Sequence, residues 1–245
     1  MFTLVIPIYN GGEYIPNMWK ELLDFGKGHA FLNEVIFVND GSLDNTKSLL
    51  QNLEIFDATF TVQILSHDEN MGKGYALRKA VLGNIRAPYV GFTDVELPYG
   101  LEVLMESVNY LEVYQNVGVV IGKRKGVGSG NRQYSGYRGF AKKCFRLFLP
   151  KQLRSFSDTQ SGLKVFRTEV ARELFQKVQT NRWVFDLEIL LAAKHADSGI
   201  HEIPVQIKPS CVGNGAIRFS NHGCKIIRDI LKIHMYEKRG IYKST

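Results

Sequence analysis

The chain has 245 residues, 44% of them hydrophobic, and a net charge of +7 from 31 Lys and Arg against 24 Asp and Glu, which is enough to bury the core of one large domain. Its three cysteines, Cys144, Cys211 and Cys224, are odd in number and far apart, which argues against a disulfide framework or zinc site and for a reducing cytoplasm. No basic leader precedes the first strand-like run and no apolar run approaches the roughly 18 residues of a membrane span, so we expect a protein neither secreted nor integral to a membrane.

In chain order, strand-like runs rich in Val, Ile and Phe occupy "TLVIPIY" (3–9), "EVIFVND" (34–40), "FTVQILS" (60–66) and "YVGFTD" (89–94). Amphipathic stretches at 14–25, 44–54, 72–84 and 99–112 follow them, and Ser42 or Asp44 can cap the second. This alternation predicts an α/β fold with a mostly parallel, Rossmann-like sheet and helices on both faces. Beyond residue 113 come a strand at 117–122, a basic Gly- and Arg-rich segment, and the amphipathic "GFAKKCFRLFL". A strand "GLKVFR", helices at 168–177 and 186–196, and a strand at 199–207 follow. No repeat or low-complexity linker interrupts the pattern, so the second half is expected to complete the same sheet of a single domain.

Ligands of such sheets bind beyond the carboxyl ends of the strands. Tyr9, Asn10, Asp40 and Asp94 all fall there, next to Gly11-Gly12, Gly41-Ser42 and Gly72-Lys73-Gly74. Each is an ordinary turn residue by itself. Their recurrence on one edge points to a ligand. In "TDVELPYG" (93–100), Asp94 and Glu96 would point to opposite faces of a strand, but at a strand-to-loop transition both can turn toward one hard cation, Mg²⁺ or Mn²⁺.

Ten of the positive charges lie between Val113 and Ser157, where no Asp or Glu occurs. Such a block favours phosphate, nucleic acid or an anionic membrane, unless it is simply a solvated face. Its aromatic residues form no RNA-binding signature, so no nucleic-acid partner is expected. The six histidines show no metal-ligand spacing.

"VIPIYNGGEYI", "VNDGSLDNT", "NMGKGYAL" and "TDVELP", in this order, resemble the family 2 glycosyltransferases with the GT-A fold. "SDTQSGLKVFR" and "NRWVFDLEILLAAK" are similar to the branch that transfers sugars onto polyprenyl phosphates, most of all to dolichyl-phosphate β-glucosyltransferases, and the resemblance spans roughly residues 2–208. It implies an inverting transfer of a hexose, with glucose as the first choice, from a UDP-sugar to a polyprenyl phosphate. By position it assigns Pro7, Tyr9, Asn10 and Glu13 to the first nucleotide-contacting loop, Asp40 to recognition of the base, Gly72 and Lys73 to the loop next to the diphosphate, and Asp94 and Glu96 to the metal. Glu96 stands where relatives carry Asp. Arg124, Arg132, Ser135 and Arg138 are assigned to the acceptor phosphate, with Arg132 and Arg138 also counted as catalytic, and Asp158, Gln160 and Asp186 to the donor sugar. Partners would include a membrane surface on its cytoplasmic side and an integral membrane protein.

Two alternatives stay open. A glycan-hydroxyl acceptor would need Asp186 or Glu188 as a base, and a nucleotide-sugar sensor could have lost catalysis. The chain divides into a nucleotide half (1–112), an acceptor and sugar half (113–208) and an amphipathic tail (209–245). The tail's helix either lies in a membrane interface or packs on the core with a wet face.

Overall fold

The computed structural model describes residues 1–83, 85–125, 148–182, 184–211 and 219–243. Among the described residues the strands are β1 (Phe2–Ile8), β2 (Leu32–Asp40), β3 (Thr61–His67), β4 (Tyr89–Phe92), β5 (Val117–Arg124), β6 (Lys164–Arg167) and β7 (Gly199–Val205). They form one sheet in the order β3-β2-β1-β4-β6-β5-β7. All described pairings are parallel except those of β6, which runs against both β4 and β5. The second half therefore does complete the sheet, through one reversed strand.

Helices α1 (Ile15–Gly28), α2 (Thr46–Gln51), α3 (Lys73–Val81), α4 (Glu102–Val113), α5 (Thr168–Lys177), α6 (Phe185–His195) and α7 (Phe219–Lys238) cover it. Strand side chains alternate between faces, and β1 shows the consequence. Leu4, Ile6 and Ile8 pack with α1 and α4, whereas Val5 joins a second cluster built with α3, α5, α6 and α7. The two faces are both apolar, as parallel strands require. Helix α4 starts three residues later than the periodicity suggests, because Leu97 and Gly100 take left-handed φ values of 46° and 74° that only a turn accommodates.

Candidate active site

The ends of β1, β2 and β4 open on the same edge, and hydrogen bonds tie their loops together. Asn10, at φ 49°, donates its N–H to Ser42 Oγ at 3.0 Å and accepts from Leu43 N at 2.8 Å through Oδ1. Gly11 N donates to Thr46 Oγ1 and Gly12 N to Asp44 Oδ2, at 3.0 and 3.1 Å. Ser42 is thus drawn to the first loop rather than capping α2, while Asp44 does both, since its Oδ1 accepts from Thr46 N at 3.0 Å. Pro7 is half-buried at the end of β1, and Tyr9 and Glu13 stand exposed on the rim.

Asp40 faces inward, only 3% exposed. Its carboxylate accepts from Met71 N (3.0 Å) and Gly72 N (2.7 Å) and lies 3.0 Å from His67 Nδ1. It therefore fixes the loop that presents Lys73. The glycines of that loop have structural reasons of their own. A Cβ on Gly72, whose φ is 102°, would come within 2.4 Å of Asn181 O, and one on Gly74 within 2.7 Å of Phe185. The N–H groups of Gly74 and Tyr75, at the start of α3, donate to Asn181 O at 2.8 and 3.4 Å. The N–H groups of Met71, Gly72, Gly74 and Tyr75 are consequently committed to protein partners, and the Lys73 side chain is the group this loop turns toward the site.

Lys73 Nζ lies 2.7 Å from Asp94 Oδ1. Burial alone would push the Lys73 ammonium down, but the charges of Asp94 and Asp186 outweigh it and raise the net pKa. Leu97 N donates to Asp94 O at 2.9 Å, closing a turn that carries Asp94 and Glu96 out of the strand alternation. Burial, reinforced by the negative charge of Asp94, raises the pKa of Glu96. Opposite them, a Cβ on Gly162 would stand 2.0 Å from Asp94 Oδ2, so the glycine of "DTQSG" makes room for this carboxylate.

Two more ion pairs lie alongside. Lys164, fully buried, donates to Asp186 Oδ1 at 2.6 Å and to Ser161 O at 2.8 Å. Burial lowers its pKa, and the attraction of Asp186 only partly offsets this. Arg124 forks onto Asp158, Nε to Oδ2 at 2.6 Å and one Nη to Oδ1 at 2.7 Å, and this bond raises the guanidinium pKa despite burial. Asp158 and Arg124, assigned from the resemblance to sugar and acceptor respectively, are thus bonded to each other. Gln160 is half-buried nearby. Glu188 is buried and holds Gln179 N, Thr180 N, Thr180 Oγ1 and Tyr242 Oη, a structural post between α6 and the chain's end. Arg132, Ser135 and Arg138 lie outside the described residues.

Lys164 and Asn181 were not singled out from sequence. A lysine inside the apolar run "GLKVF" is a readable signal, because a buried ammonium requires a partner. Asn181 gives no such signal, since its main-chain oxygen takes the N–H groups of Gly74 and Tyr75 and its Oδ1 accepts from Arg78, partners far away in sequence.

The donor chemistry fits a hard divalent cation. Among the described residues no three His, Cys, Asp or Glu side chains gather to hold a metal, and Asp94 and Glu96 are the two carboxylates the D-x-E turn offers. Magnesium-type ions are commonly held in this way, by one or two carboxylates with substrate phosphates and water completing the shell. Asp94 is 39% exposed at its side chain, and Lys73 occupies only its Oδ1.

The chain resembles known proteins in sequence and in fold. The family described as glycosyl transferase family 2 matches residues 3–175. A dolichyl-phosphate beta-glucosyltransferase of Trichomonas vaginalis, ALG5C, is 28% identical over 98% of this chain and 72% of its own length. The protein of the same name from Saccharomyces cerevisiae is 28% identical over 99% and 77%. Mannosyl-3-phosphoglycerate synthase from Rubrobacter xylanophilus shares the fold at a TM-score of 0.72 and 16% identity, covering 98% of this chain and 75% of that one. Glucosyl-3-phosphoglycerate synthase from Mycobacterium tuberculosis, solved with Mn²⁺, UDP and phosphoglyceric acid, gives 0.69 at 15% identity over 96% and 77%. The sheet order and these neighbours make the fold GT-A, and the chain belongs to glycosyl transferase family 2.

Proposed function

We propose that the chain is an inverting glycosyltransferase that moves glucose from UDP-glucose to a polyprenyl phosphate, with Mg²⁺ or Mn²⁺, at the cytoplasmic face of a membrane. The observation that carries this reading is the Lys73–Asp94 pair, which sets the cation of the glycine loop against the first acid of the D-x-E turn at the carboxyl edge of the sheet. The names of the sequence relatives support the glucose donor and the lipid-phosphate acceptor.

The loop of Pro7, Tyr9, Asn10 and Glu13 borders the base and ribose, where the exposed Tyr9 ring offers a stacking face. Asp40 contributes by fixing the backbone at Met71 and Gly72 and so aiming Lys73 at the diphosphate. Asp94 and Glu96 would hold a divalent cation, which when bound would supply charge neutralisation to the leaving diphosphate. Gln160 borders the sugar, on the loop that Asp158 anchors to Arg124. Arg132, Ser135 and Arg138, which lie outside the described residues, are assigned to the acceptor phosphate, and the guanidinium of Arg124, 30% exposed, is assigned to the same anion.

A lipid phosphate is largely dianionic at neutral pH and needs positioning more than deprotonation. The two acids that a glycan-hydroxyl acceptor would recruit as base are engaged elsewhere, Asp186 with Lys164 and Glu188 with four protein donors. That favours the phosphate acceptor. The test is incubation of the purified protein with Mg²⁺ or Mn²⁺, a panel of labelled nucleotide sugars and short polyprenyl phosphates. Glucosyl transfer from UDP-glucose onto the lipid is expected. Transfer to glycan hydroxyls alone, or from no nucleotide sugar, overturns the reading.

A further inference from the structure

Helix α7 has two unlike faces. Ile226, Ile230 and Ile233 are at most 2% exposed and belong to the core. Ile227, Leu231 and Met235 recur at every fourth residue on the other side and are 39%, 54% and 40% exposed. That spacing makes one continuous stripe along the helix. At about 100° per residue, Arg228, Lys232 and Lys225 fall on one flank of the stripe, and Lys238 lies at its C-terminal end. The side chains of Arg228 and Lys232 are 67% and 45% exposed; both lie within ion-pair distance of one carboxylate, Asp229 Oδ1, at 3.9 and 3.5 Å, and that acid is only 22% exposed, so two exposed cations share one largely covered charge. Glu237 is turned inward instead, 3.0 Å from His195 Nε2 and 2.6 Å from Gln152 Nε2.

From this pattern we infer that the outward face of α7 docks on an anionic bilayer surface, with the apolar stripe entering the headgroup region and the cations meeting lipid phosphates. A surface helix with an apolar stripe and basic flanks has the composition that such an interface selects. A second copy fits poorly, because an isologous contact would set one cationic flank against another. The placement also suits the fold. Phe148, the first described residue after the basic segment, is 39% exposed, and its carbonyl lies 2.8 Å from His234 Nε2 on α7. The chain after that segment rejoins the fold beside this face.

The inference rests on the helix alone and is tested without substrate. The full chain is floated with vesicles of phosphatidylcholine, with and without phosphatidylglycerol. Binding to the anionic vesicles is expected, falling as salt rises. Arg228→Gln with Lys232→Gln should weaken it on the order of fivefold per charge removed. Leu231→Ser with Met235→Ser should weaken it at least as much on the same vesicles. Both double variants alter exposed groups and should keep the wild-type Tm and the wild-type transfer rate to a short, water-soluble polyprenyl phosphate. Unchanged vesicle affinity in both doubles overturns the inference. So does a concentration-dependent dimer that Leu231→Ser abolishes while wild-type protein fails to float. Loss of transfer activity with vesicle binding intact would count against the proposed reaction and leave this surface standing.

Discussion

Lys73 Nζ lies 2.7 Å from Asp94 Oδ1 and 5.5 Å from the centre of the Phe92 ring, joining the loop that precedes α3 to the end of β4. Lys164 approaches the same ring at 5.6 Å. Two ammonium groups thus share one aromatic side chain, and each has its own carboxylate. Replacing Asp94 with Asn should remove several kcal/mol of leaving-group stabilisation, at least about a hundredfold in transfer rate. Stability should fall by less than about 1 kcal/mol, because Lys73 and Asp94 are 30% and 39% exposed at their side chains. Parallel transfer assays and thermal melts separate these effects. Near-normal transfer in the variant, or in wild type with excess chelator, removes the metal role.

Lys73→Ala tests the diphosphate assignment. The neighbouring carboxylates raise the Lys73 pKa, so its charge persists through the whole neutral range. Losing one charge-assisted contact of about 1.5–3 kcal/mol should weaken UDP and UDP-sugar binding roughly ten- to a hundredfold. Uridine binding should barely change. Calorimetry that returns equal losses for all three ligands places Lys73 away from the phosphates.

The buried pair beneath the site sets a stability prediction. In Lys164→Met the Asp186 carboxylate keeps its burial but loses its cation, a change that costs about 3–5 kcal/mol. Lys164→Met with Asp186→Leu should recover most of that loss, since neither charge then remains. Urea unfolding measures both. A single variant within about 1 kcal/mol of wild type contradicts the account.

Glu96 predicts a pH dependence whose sign follows from its environment. Its pKa is raised by burial and by Asp94, so the protonated form is favoured in the folded, metal-free state. The stability this contributes is complete below the ordinary glutamate pKa of about 4.3 and is lost as pH rises through the raised value. Metal-free Glu96→Gln should therefore match wild type near about pH 4 and melt higher near about pH 8. Added Mn²⁺ should raise the wild-type Tm at the higher pH and leave the variant unmoved. An equal Mn²⁺ shift in both proteins takes Glu96 out of the metal site.

Gly162→Ala asks whether the pocket for Asp94 needs its glycine. A Cβ there would sit 2.0 Å from Asp94 Oδ2, so the carboxylate must move away from its place beside Lys73. Mn²⁺ affinity and transfer should both drop at least about tenfold while UDP binding without metal holds, a displacement of the kind that costs rate without unfolding. Calorimetry with Mn²⁺ and with UDP reads the two apart, and unchanged Mn²⁺ affinity sinks the idea.

Among the described residues the periodicity of the sequence alone located the strands and helices to within a few residues, because alternation of two and spacing of three to four record which face each residue buries, while the amphipathic "GFAKKCFRLFL" falls almost wholly outside those residues. It also located the edge where Tyr9, Asn10, Asp40 and Asp94 end their strands, since polar and glycine residues after an apolar run announce a turn. What each polar side chain bonds was decided only by the tertiary structure. Asp40 meets Gly72 across 32 residues of chain, Arg124 meets Asp158 across 34, and Arg78 meets Asn181 across 103. No local pattern encodes such partners, because they depend on how close distant loops come once the sheet has formed. The same holds for β6, whose apolar run reads as a strand but carries no sign of its reversed direction, and for α7. Its sequence shows two sets of apolar residues, and only the packing of Ile226, Ile230 and Ile233 on the core leaves Ile227, Leu231 and Met235 facing out.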